Sequence, residues 1–212
     1  MDQNDLTQLL DSAADGDTAS WATLLTHHVE RLSRFIAVRL DPRLQGRIDA
    51  DDVMQEIYAE AWQHLPDFRR NSALPFYLWM RGLAQNKLLE LHRRHLGTQM
   101  RDARREATDP RRGLLETTSA SLSSLLVDSH TSPSNAAARE ELKTQLQEAL
   151  ETMNGIDRDV LMLRHFEQLS PTETALVLQI EEKAAGMRYV RAIKRLREIL
   201  EALPGGLTAF RI

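Results

Sequence analysis

The chain has 212 residues, of which 42% are hydrophobic and 27% are charged, a composition typical of a globular protein with a buried core. It has no cysteine, which excludes disulfides, thiolate metal sites and cysteine nucleophiles. The formal net charge of −4 taken alone argues against nucleic acid as a partner, but the charge is unevenly distributed along the chain.

Three segments concentrate this charge. Residues 49–67 hold six acids and neither Lys nor Arg, whereas residues 81–112 hold nine bases and four acids. Residues 183–200 hold six bases and one acid. This segregation favours two surfaces for a polyanion such as DNA and a third surface for a basic partner.

The first residues are acidic and lack the basic and then apolar order of a secretion signal. No apolar stretch approaches the roughly 20 residues that cross a bilayer. We therefore expect a cytoplasmic protein without membrane insertion.

Apolar residues recur every three or four positions through most of the chain, which predicts an all-α fold. An acidic segment, residues 1–20, precedes an N-terminal helical module, residues 21–97. The predicted helices of this module are Trp21–Leu40, Asp51–Leu65 and Pro75–His95. Pro66 and the polar run up to Ser72 predict a loop between the second and third helices.

The second predicted helix has one apolar face and one acidic face. The apolar stripe consists of Val53, Met54, Ile57, Ala61 and Trp62. The other face includes Asp52, Gln55 and Glu56. Paired carboxylates can bind a metal, but neither His nor Ser joins them at ligand spacing, so we predict no metal site. Such a face is either simply solvated or docks a basic protein, and we favour docking.

The loop and the third helix combine aromatic, amide and basic side chains. Trp79, Leu83 and Leu91 are predicted to be core residues. Phe68, Asn71 and Phe76, at the loop, are predicted to contact an unstacked base. Side chains further along the helix that could follow a DNA backbone are Asn86, Lys87, Arg93 and Arg94.

Residues 98–135 are basic at first and then rich in Ser and Thr, which predicts a flexible tether with a short apolar turn at Leu122–Val127. A second helical module, residues 136–203, follows, and residues 204–212 form a tail. The predicted helices of the second module are Ala136–Met153, Asp157–Glu167, Ser170–Leu178 and Glu182–Leu203.

The segment Leu169–Leu200 has the pattern of a helix-turn-helix. Ser170 and Glu173 form a capping box around Pro171, and a three-residue turn, Gln179–Glu181, separates the short helix from a longer basic one. In the longer helix the predicted core positions are Ala185, Tyr189, Ile193, Leu196 and Leu200. Four cations, predicted mainly on the opposite side, could contact phosphates or base edges: Lys183, Arg188, Arg191 and Arg195. The alternative is a solvated basic face on an ordinary amphipathic helix.

The sequence offers no Gly-rich phosphate loop and no Ser-His-Asp arrangement, and its histidines are scattered. It therefore predicts neither an enzyme site nor a cofactor site.

Taken together, these motifs resemble the extracytoplasmic-function class of bacterial RNA polymerase sigma factors. Asp51 to Glu56 with Ala61-Trp62 is similar to region 2.2 of that family. Phe76, Trp79, Ala84-Gln85-Asn86 and the basic pair Arg93-Arg94 are similar to regions 2.3 and 2.4. Leu169–Leu200 is similar to region 4.2, and the two modules stand in the order that the family has.

The resemblance implies a subunit that binds core polymerase, through its β′ and β subunits, and promoter DNA. Asp52, Gln55 and Glu56 would dock on the β′ coiled coil. The Phe68–Phe76 loop would capture a flipped base of the −10 element, and Asn86 with the nearby bases would hold the adjoining duplex. The helix Glu182–Leu200 would read the −35 element. The family also implies an anti-sigma protein as a partner.

Some positions depart from the family pattern. Gln179 stands where the turn usually has Gly, and Glu181 is a poorer helix cap than the usual Ser. Residues 184–187, Ala-Ala-Gly-Met, replace positions that are often larger or basic, which argues against base readout by this stretch.

Two other functions remain open from the residues alone. One is an autonomous helix-turn-helix regulator that does not dock on polymerase, and the other is an interaction protein without a role on DNA. The acidic helix favours a polymerase subunit, because an autonomous regulator has no use for such a docking face.

Overall fold

The computed structural model describes residues 3–40, 48–96, 119–127 and 136–203. These residues form helices and turns and contain no β-strand, so the predicted all-α fold is confirmed. The chain divides into two compact parts, an N-terminal unit of residues 1–103 and a C-terminal unit of residues 104–212.

Four helices build the N-terminal unit. They are α1 (Gln3–Ala14), α2 (Thr18–Arg39), α3 (Ala50–Asn71) and α4 (Phe76–Leu96). Two of them begin at aspartate caps: the Asp17 carboxylate accepts hydrogen bonds from the backbone N–H groups of Ala19 and Ser20, and the Asp49 carboxylate accepts one from Asp51. Such caps satisfy backbone donors that have no partner inside the helix.

The helix α1 lies within the segment that sequence analysis described only as acidic. Its Leu10 and Ala13 are buried in the same core as residues of α2, α3 and α4. The Arg69 guanidinium near the end of α3 donates two hydrogen bonds to the Asp11 carboxylate, at 2.5 and 3.2 Å. This helix is therefore part of the N-terminal unit.

The core of this unit is built from the apolar faces of all four helices. Fully buried side chains at its centre are Leu24, Leu32, Phe35, Ile36, Ile57, Leu65, Met80 and Leu88. The predicted stripe on α3 is confirmed, with Val53, Met54, Ile57 and Ala61 buried and Trp62 partly buried.

The prediction that Pro66 ends the second helix is wrong, because α3 continues to Asn71. A proline inside a helix costs about 3 kcal/mol. However, Leu65 and Phe68 on either side of it are buried, and each contributes about 1.5–3 kcal/mol on burial. The helix ends where the Ser72 backbone N–H donates to the Phe68 carbonyl, at 2.9 Å, so the loop is only residues 72–75.

Part of the predicted flexible tether is helical. Residues 119–127 form a helix, α5, in which Leu122, Leu126 and Val127 are buried. Leu122 and Leu126 are four residues apart, a spacing that brings both to one helix face. The predicted short apolar turn at Leu122–Val127 is therefore part of a longer helix, while residues 98–118 and 128–135 of the predicted tether lie outside the described part of the chain.

The described C-terminal unit continues with four more helices. They are α6 (Ala136–Glu151), α7 (Gly155–Leu161), α8 (Pro171–Leu178) and α9 (Glu182–Ala202). The predicted helix Asp157–Glu167 changes form midway, because Met162–Phe166 is a π-helical turn. After it Gln168 has a φ of 56°, the Leu169 N–H donates to the Leu163 carbonyl at 2.9 Å, and the chain turns into α8.

Candidate nucleic-acid and protein-docking surfaces

Local hydrogen bonds define the helix-turn-helix formed by α8 and α9. The Ser170 side chain accepts from the Glu173 backbone N–H at 3.1 Å, and the Glu173 carboxylate accepts from the Ser170 N–H at 2.8 Å. The predicted capping box is thus confirmed. The Thr172 hydroxyl donates to the Glu182 carboxylate at 2.8 Å, which ties the start of α8 to the start of α9.

The turn between α8 and α9 has a left-handed residue. Gln179 ends α8 with a φ of 54°, the conformation that glycine adopts without a steric penalty. Gly is usual at this position in the family that the sequence resembles, and the left-handed backbone is the reason. Glu181 precedes α9 without a side-chain cap bond, as expected for this residue type.

The four predicted cations of α9 do not share one environment. Lys183 and Arg191 are exposed, and Arg195 is exposed but bonded to Glu198 at 3.2 Å. Arg188 is only partly exposed and its guanidinium donates to Asp157 of α7 at 3.3 Å. Five residues correspond to about 140° around a helix, so Arg188 lies well to the side of Lys183 and reaches the neighbouring helix. Its role as a DNA contact stays a prediction, and the bond to Asp157 sets it apart from the other three cations.

Sequence analysis missed Lys194. It is exposed, and it follows Lys183 by eleven residues, which is close to three full helical turns. Lys183, Arg191 and Lys194 therefore belong to one open face of α9, which we call the α9 face. The spacing of three turns was the signal that could have identified Lys194.

The predicted core positions of α9 are mostly confirmed. Ala185, Leu196 and Leu200 are buried, whereas Tyr189 and Ile193 are partly buried. The Tyr189 ring lies 5.3 Å from the Arg164 guanidinium of the π-helical turn.

The acidic side of α3 is accessible as predicted. Asp52, Gln55 and Glu56 are exposed, while Val53 and Met54 between them are buried. We call these three exposed residues the α3 acidic face.

One residue predicted to contact DNA, Lys87, is paired with a residue of the α3 acidic face. The Lys87 ammonium of α4 donates a hydrogen bond to the Glu56 carboxylate and lies 3.5 Å from Glu90. Its side chain is only 14% exposed. The Glu56 carboxylate, and to a lesser degree Glu90, raises the pKa of Lys87. Lys87 is thus held between two acids, and its contact with DNA stays a prediction.

Phe68 and Phe76 do not form a base-stacking surface. Phe68 is 7% exposed and Phe76 2% exposed. Phe68 stacks on Trp79 with the ring centroids 4.3 Å apart and the planes 15° apart, and Phe76 packs at 6.0 Å from Phe68. The prediction failed because it placed both rings in a loop, whereas they lie on α3 and α4 and face the core.

The short loop presents other residues instead. Asn71 is exposed, and Leu74 is the large apolar residue that the loop exposes, at 47%. Further along α4, Asn86 and Arg94 are exposed, and Arg94 pairs with Glu90. The side chain of Arg93 lies outside the described residues.

Comparison with known proteins assigns both units to regions of one family. Residues 24–97 match sigma-70 region 2, and residues 143–196 match sigma-70, region 4. Both spans coincide with described helices, α2 to α4 in the first case and α6 to α9 in the second.

Individual relatives agree with these matches. The chain is 27% identical to the ECF RNA polymerase sigma factor SigD of Mycobacterium tuberculosis over 80% of this chain and 71% of that protein. It is also 27% identical to the RNA polymerase sigma factor CnrH of Cupriavidus metallidurans over 90% of this chain and 91% of that one.

The fold is similar to a solved structure, that of CnrH in complex with the cytosolic domain of CnrY. The TM-score is 0.54 at 22% sequence identity, with 94% of this chain and 99% of the other covered. Among the helices described here, none is long and apolar enough to cross a membrane.

Proposed function

This chain belongs to the extracytoplasmic-function class of sigma factors, which associate with RNA polymerase in transcription initiation, and from this premise we propose how its described surfaces divide the work. An autonomous regulator is set aside because the N-terminal unit matches sigma-70 region 2. One observation carries the proposal: the N-terminal unit exposes an acidic helix face, and the C-terminal unit exposes a cationic one.

We assign contact with the −35 element to the α9 face. Lys183, Arg191 and Lys194 are exposed on the second helix of a helix-turn-helix, the element that enters the major groove in such motifs. Cations there neutralise phosphates and increase affinity in a salt-dependent manner. Arg195 extends this surface, whereas Arg188 orients α9 through Asp157.

We assign docking on the β′ coiled coil of core polymerase to the α3 acidic face. In support, its three side chains are exposed and residues 49–67 contain neither Lys nor Arg. A surface of one sign attracts a partner of the other and suppresses wrong partners.

We assign capture of a −10 base to the short loop, residues 72–75, with Asn71 at its edge. Leu74 offers an apolar surface for a flipped base, and Asn71 offers amide groups for its polar edge. Phe68 and Phe76, on the two helices that flank the loop, are buried in the core. Asn86 and Arg94 lie on α4 beyond the loop, where they are available to the adjoining duplex.

The protein has no assigned chemistry of its own in this proposal and acts in the cytoplasm together with polymerase. CnrH was solved with the cytosolic domain of CnrY. We propose that this chain also has a protein inhibitor, an anti-sigma factor.

Two measurements on the full chain test the assignment of surfaces. The double variant Asp52→Ala/Gln55→Ala is expected to lose capture of bacterial core polymerase, and Arg191→Ala/Lys194→Ala is expected to retain capture but lose transcription from a cognate promoter. Arg197→Ala is the matched control for the cations, because Arg197 lies further along α9 and is bonded to Glu201 at 2.8 Å. Unchanged capture by the first variant would contradict the docking assignment, and full transcription by the second would contradict the −35 assignment.

A further inference from the structure

Apolar residues lie at the centre of the α9 face. Met187 is 53% exposed and Val190 is 68% exposed, and Gly186 next to them is exposed as well. Residues three and four apart are neighbours on a helix surface, so Val190 adjoins both Gly186 and Met187. We call these three residues the α9 apolar patch.

The packing of the C-terminal unit gives no reason for this patch. Val190 gains little by burial, and a β-branched residue is a poor helix former. Glycine inside a helix is also unfavourable, and a Cβ added at Gly186 would meet no atom within 4 Å. A contact outside the unit explains both residues better than a structural role does.

The patch is bordered by cations. Lys183 precedes it by one turn, and Arg191 and Lys194 follow Met187 and Val190 by four residues each. Two nearby carboxylates are already engaged: Glu182 accepts from Thr172 at 2.8 Å, and Glu198 from Arg195 at 3.2 Å. The occupant that fits is therefore negatively charged at its borders and apolar at its centre.

The major groove of DNA has this chemistry where it contains thymine. Phosphates border the groove, and the C5-methyl group of thymine is the apolar group that the bases present in it. A protein ligand would need acids placed around an apolar centre at the width of one helix, whereas the groove provides this arrangement wherever an A·T pair occurs.

We propose that Met187 and Val190 contact thymine methyl groups in the −35 element and that Gly186 lets the backbone of α9 approach the base edges. The inference rests on the proposed function of the α9 face. The small and apolar character of residues 184–187 argues against readout by hydrogen bonds, but a methyl contact needs none. Promoters of this protein then carry A·T pairs at the positions that face the patch.

The experiment uses the full chain assembled with bacterial core polymerase and a pool of randomised duplexes long enough to span both promoter elements. Duplexes that bind are enriched and sequenced, and each shared thymine of the upstream element is then replaced by deoxyuridine. This replacement removes the methyl group and retains every hydrogen-bonding group. Binding is measured for the wild type, for Met187→Ala/Val190→Ala and for Val190→Thr, which keeps the shape of valine but replaces one methyl group with a hydroxyl.

We expect deoxyuridine at one or two positions to weaken binding of the wild type about fourfold each, the factor that corresponds to ~0.8 kcal/mol for one methyl-sized group. The double alanine variant should bind thymine and uracil duplexes equally, and Val190→Thr should show reduced discrimination. Val29→Ala truncates another exposed valine, in the N-terminal unit, and should discriminate as the wild type does. Thermal unfolding checks that all variants fold.

The other outcomes overturn the proposal in distinguishable ways. If an upstream consensus emerges but uracil binds as well as thymine, or the double alanine variant still discriminates, the methyl contact is wrong while the promoter function stands. If the double variant instead loses core polymerase, the patch serves a protein. If no consensus emerges with the wild type, promoter recognition itself fails and the methyl contact with it.

Discussion

Glu56 on α3 accepts a hydrogen bond from the Lys87 ammonium on α4, so the acidic face and the basic helix of the N-terminal unit are joined by an ion pair. Two residues that sequence analysis assigned to different partners are therefore bonded to each other. A protein that binds the Glu56 carboxylate competes with Lys87 for it, and such binding would break the ion pair between α3 and α4.

The Glu56–Lys87 pair is expected to stabilise the N-terminal unit modestly. Glu56→Gln should lower the free energy of unfolding by about 0.5 kcal/mol, since half-exposed pairs contribute little. Glu56 raises the pKa of Lys87 in the folded protein. The contribution of the pair to stability is therefore full below the pKa of lysine in the unfolded chain, and it is lost as the pH rises through the pKa of Lys87 in the folded protein. Urea unfolding at about pH 8 and about pH 11 measures the difference, which should be smaller at the higher pH. An equal difference at both values would contradict the pairing.

Phe68 and Leu74 should respond oppositely to truncation. Phe68→Ala removes a buried ring that stacks on Trp79 and should lower the free energy of unfolding by about 3–5 kcal/mol. Leu74→Ala should change it by less than about 0.5 kcal/mol, because Leu74 is exposed, yet it should reduce promoter opening. Chemical denaturation and permanganate footprinting of unpaired thymines measure the two effects. A stable Phe68→Ala protein that fails only in opening would restore the original prediction for Phe68.

Arg191 and Arg188 should differ in the salt dependence of DNA binding. Removing one phosphate contact lowers the slope of log affinity against log salt by about 0.9. We expect Arg191→Ala to show this change and to unfold as the wild type does. Arg188→Ala should instead lower the free energy of unfolding by about 1 kcal/mol, because it breaks the partly buried bond to Asp157. A slope change for Arg188→Ala that matches that of Arg191→Ala would show that the side chain leaves Asp157 on binding.

Gln179→Gly should stabilise the C-terminal unit. A non-glycine residue in the left-handed conformation costs roughly 1–2 kcal/mol, so glycine at a φ of 54° should raise the free energy of unfolding by about 1 kcal/mol. Gln179→Val is the opposite control and should destabilise, because a β-branched side chain tolerates this conformation poorly. Denaturant midpoints of both variants provide the measurement, and a lower midpoint for the glycine variant would contradict the argument.

Asp11 should hold α1 in a pH-dependent manner. The hydrogen bond from Arg69 lowers the pKa of Asp11 in the folded protein. The contribution of this bond to stability is therefore present above the pKa of the carboxyl in the unfolded chain, and it is lost as the pH falls through the pKa of Asp11 in the folded protein. Hydrogen exchange of the α1 amides at neutral pH should be faster in Asp11→Asn than in the wild type. Asp15→Asn, which alters an exposed carboxylate in the turn after α1, is the control. Below the pKa of Asp11, the wild type and Asp11→Asn should exchange at the same rate.

Local patterns predicted most of the fold. The capping box at Ser170, the turn at Gln179 and the apolar stripe of α3 depend on residues close in sequence, and all three were correctly predicted. Pro66 misled the prediction because the tertiary burial of Leu65 and Phe68 outweighs a local helix breaker. Only a short apolar turn was predicted where the helix α5 lies, because Ser and Thr dominate its surroundings although Leu122 and Leu126 are buried.

The candidate surfaces were less predictable than the helices that carry them. The exposed sides of α3 and α9 follow from helical periodicity, so Asp52, Gln55 and Arg191 are accessible as expected. Lys87 and Arg188 each pair with a carboxylate on a different helix. Local sequence patterns do not indicate which helices are neighbours, so these pairs could not be predicted.

The hydrogen bond between Arg188 and Asp157 ties α9 to α7, and Tyr189, next to Arg188 on α9, contacts Arg164 of the π-helical turn. Under the proposed function, the angle at which α9 meets a duplex thus depends on α7 and the π-helical turn. Substitutions in residues 155–166 can therefore tilt the helix and alter which promoters are preferred without replacing any side chain that touches DNA. Changes of specificity have a route through these partly buried contacts as well as through the exposed surface.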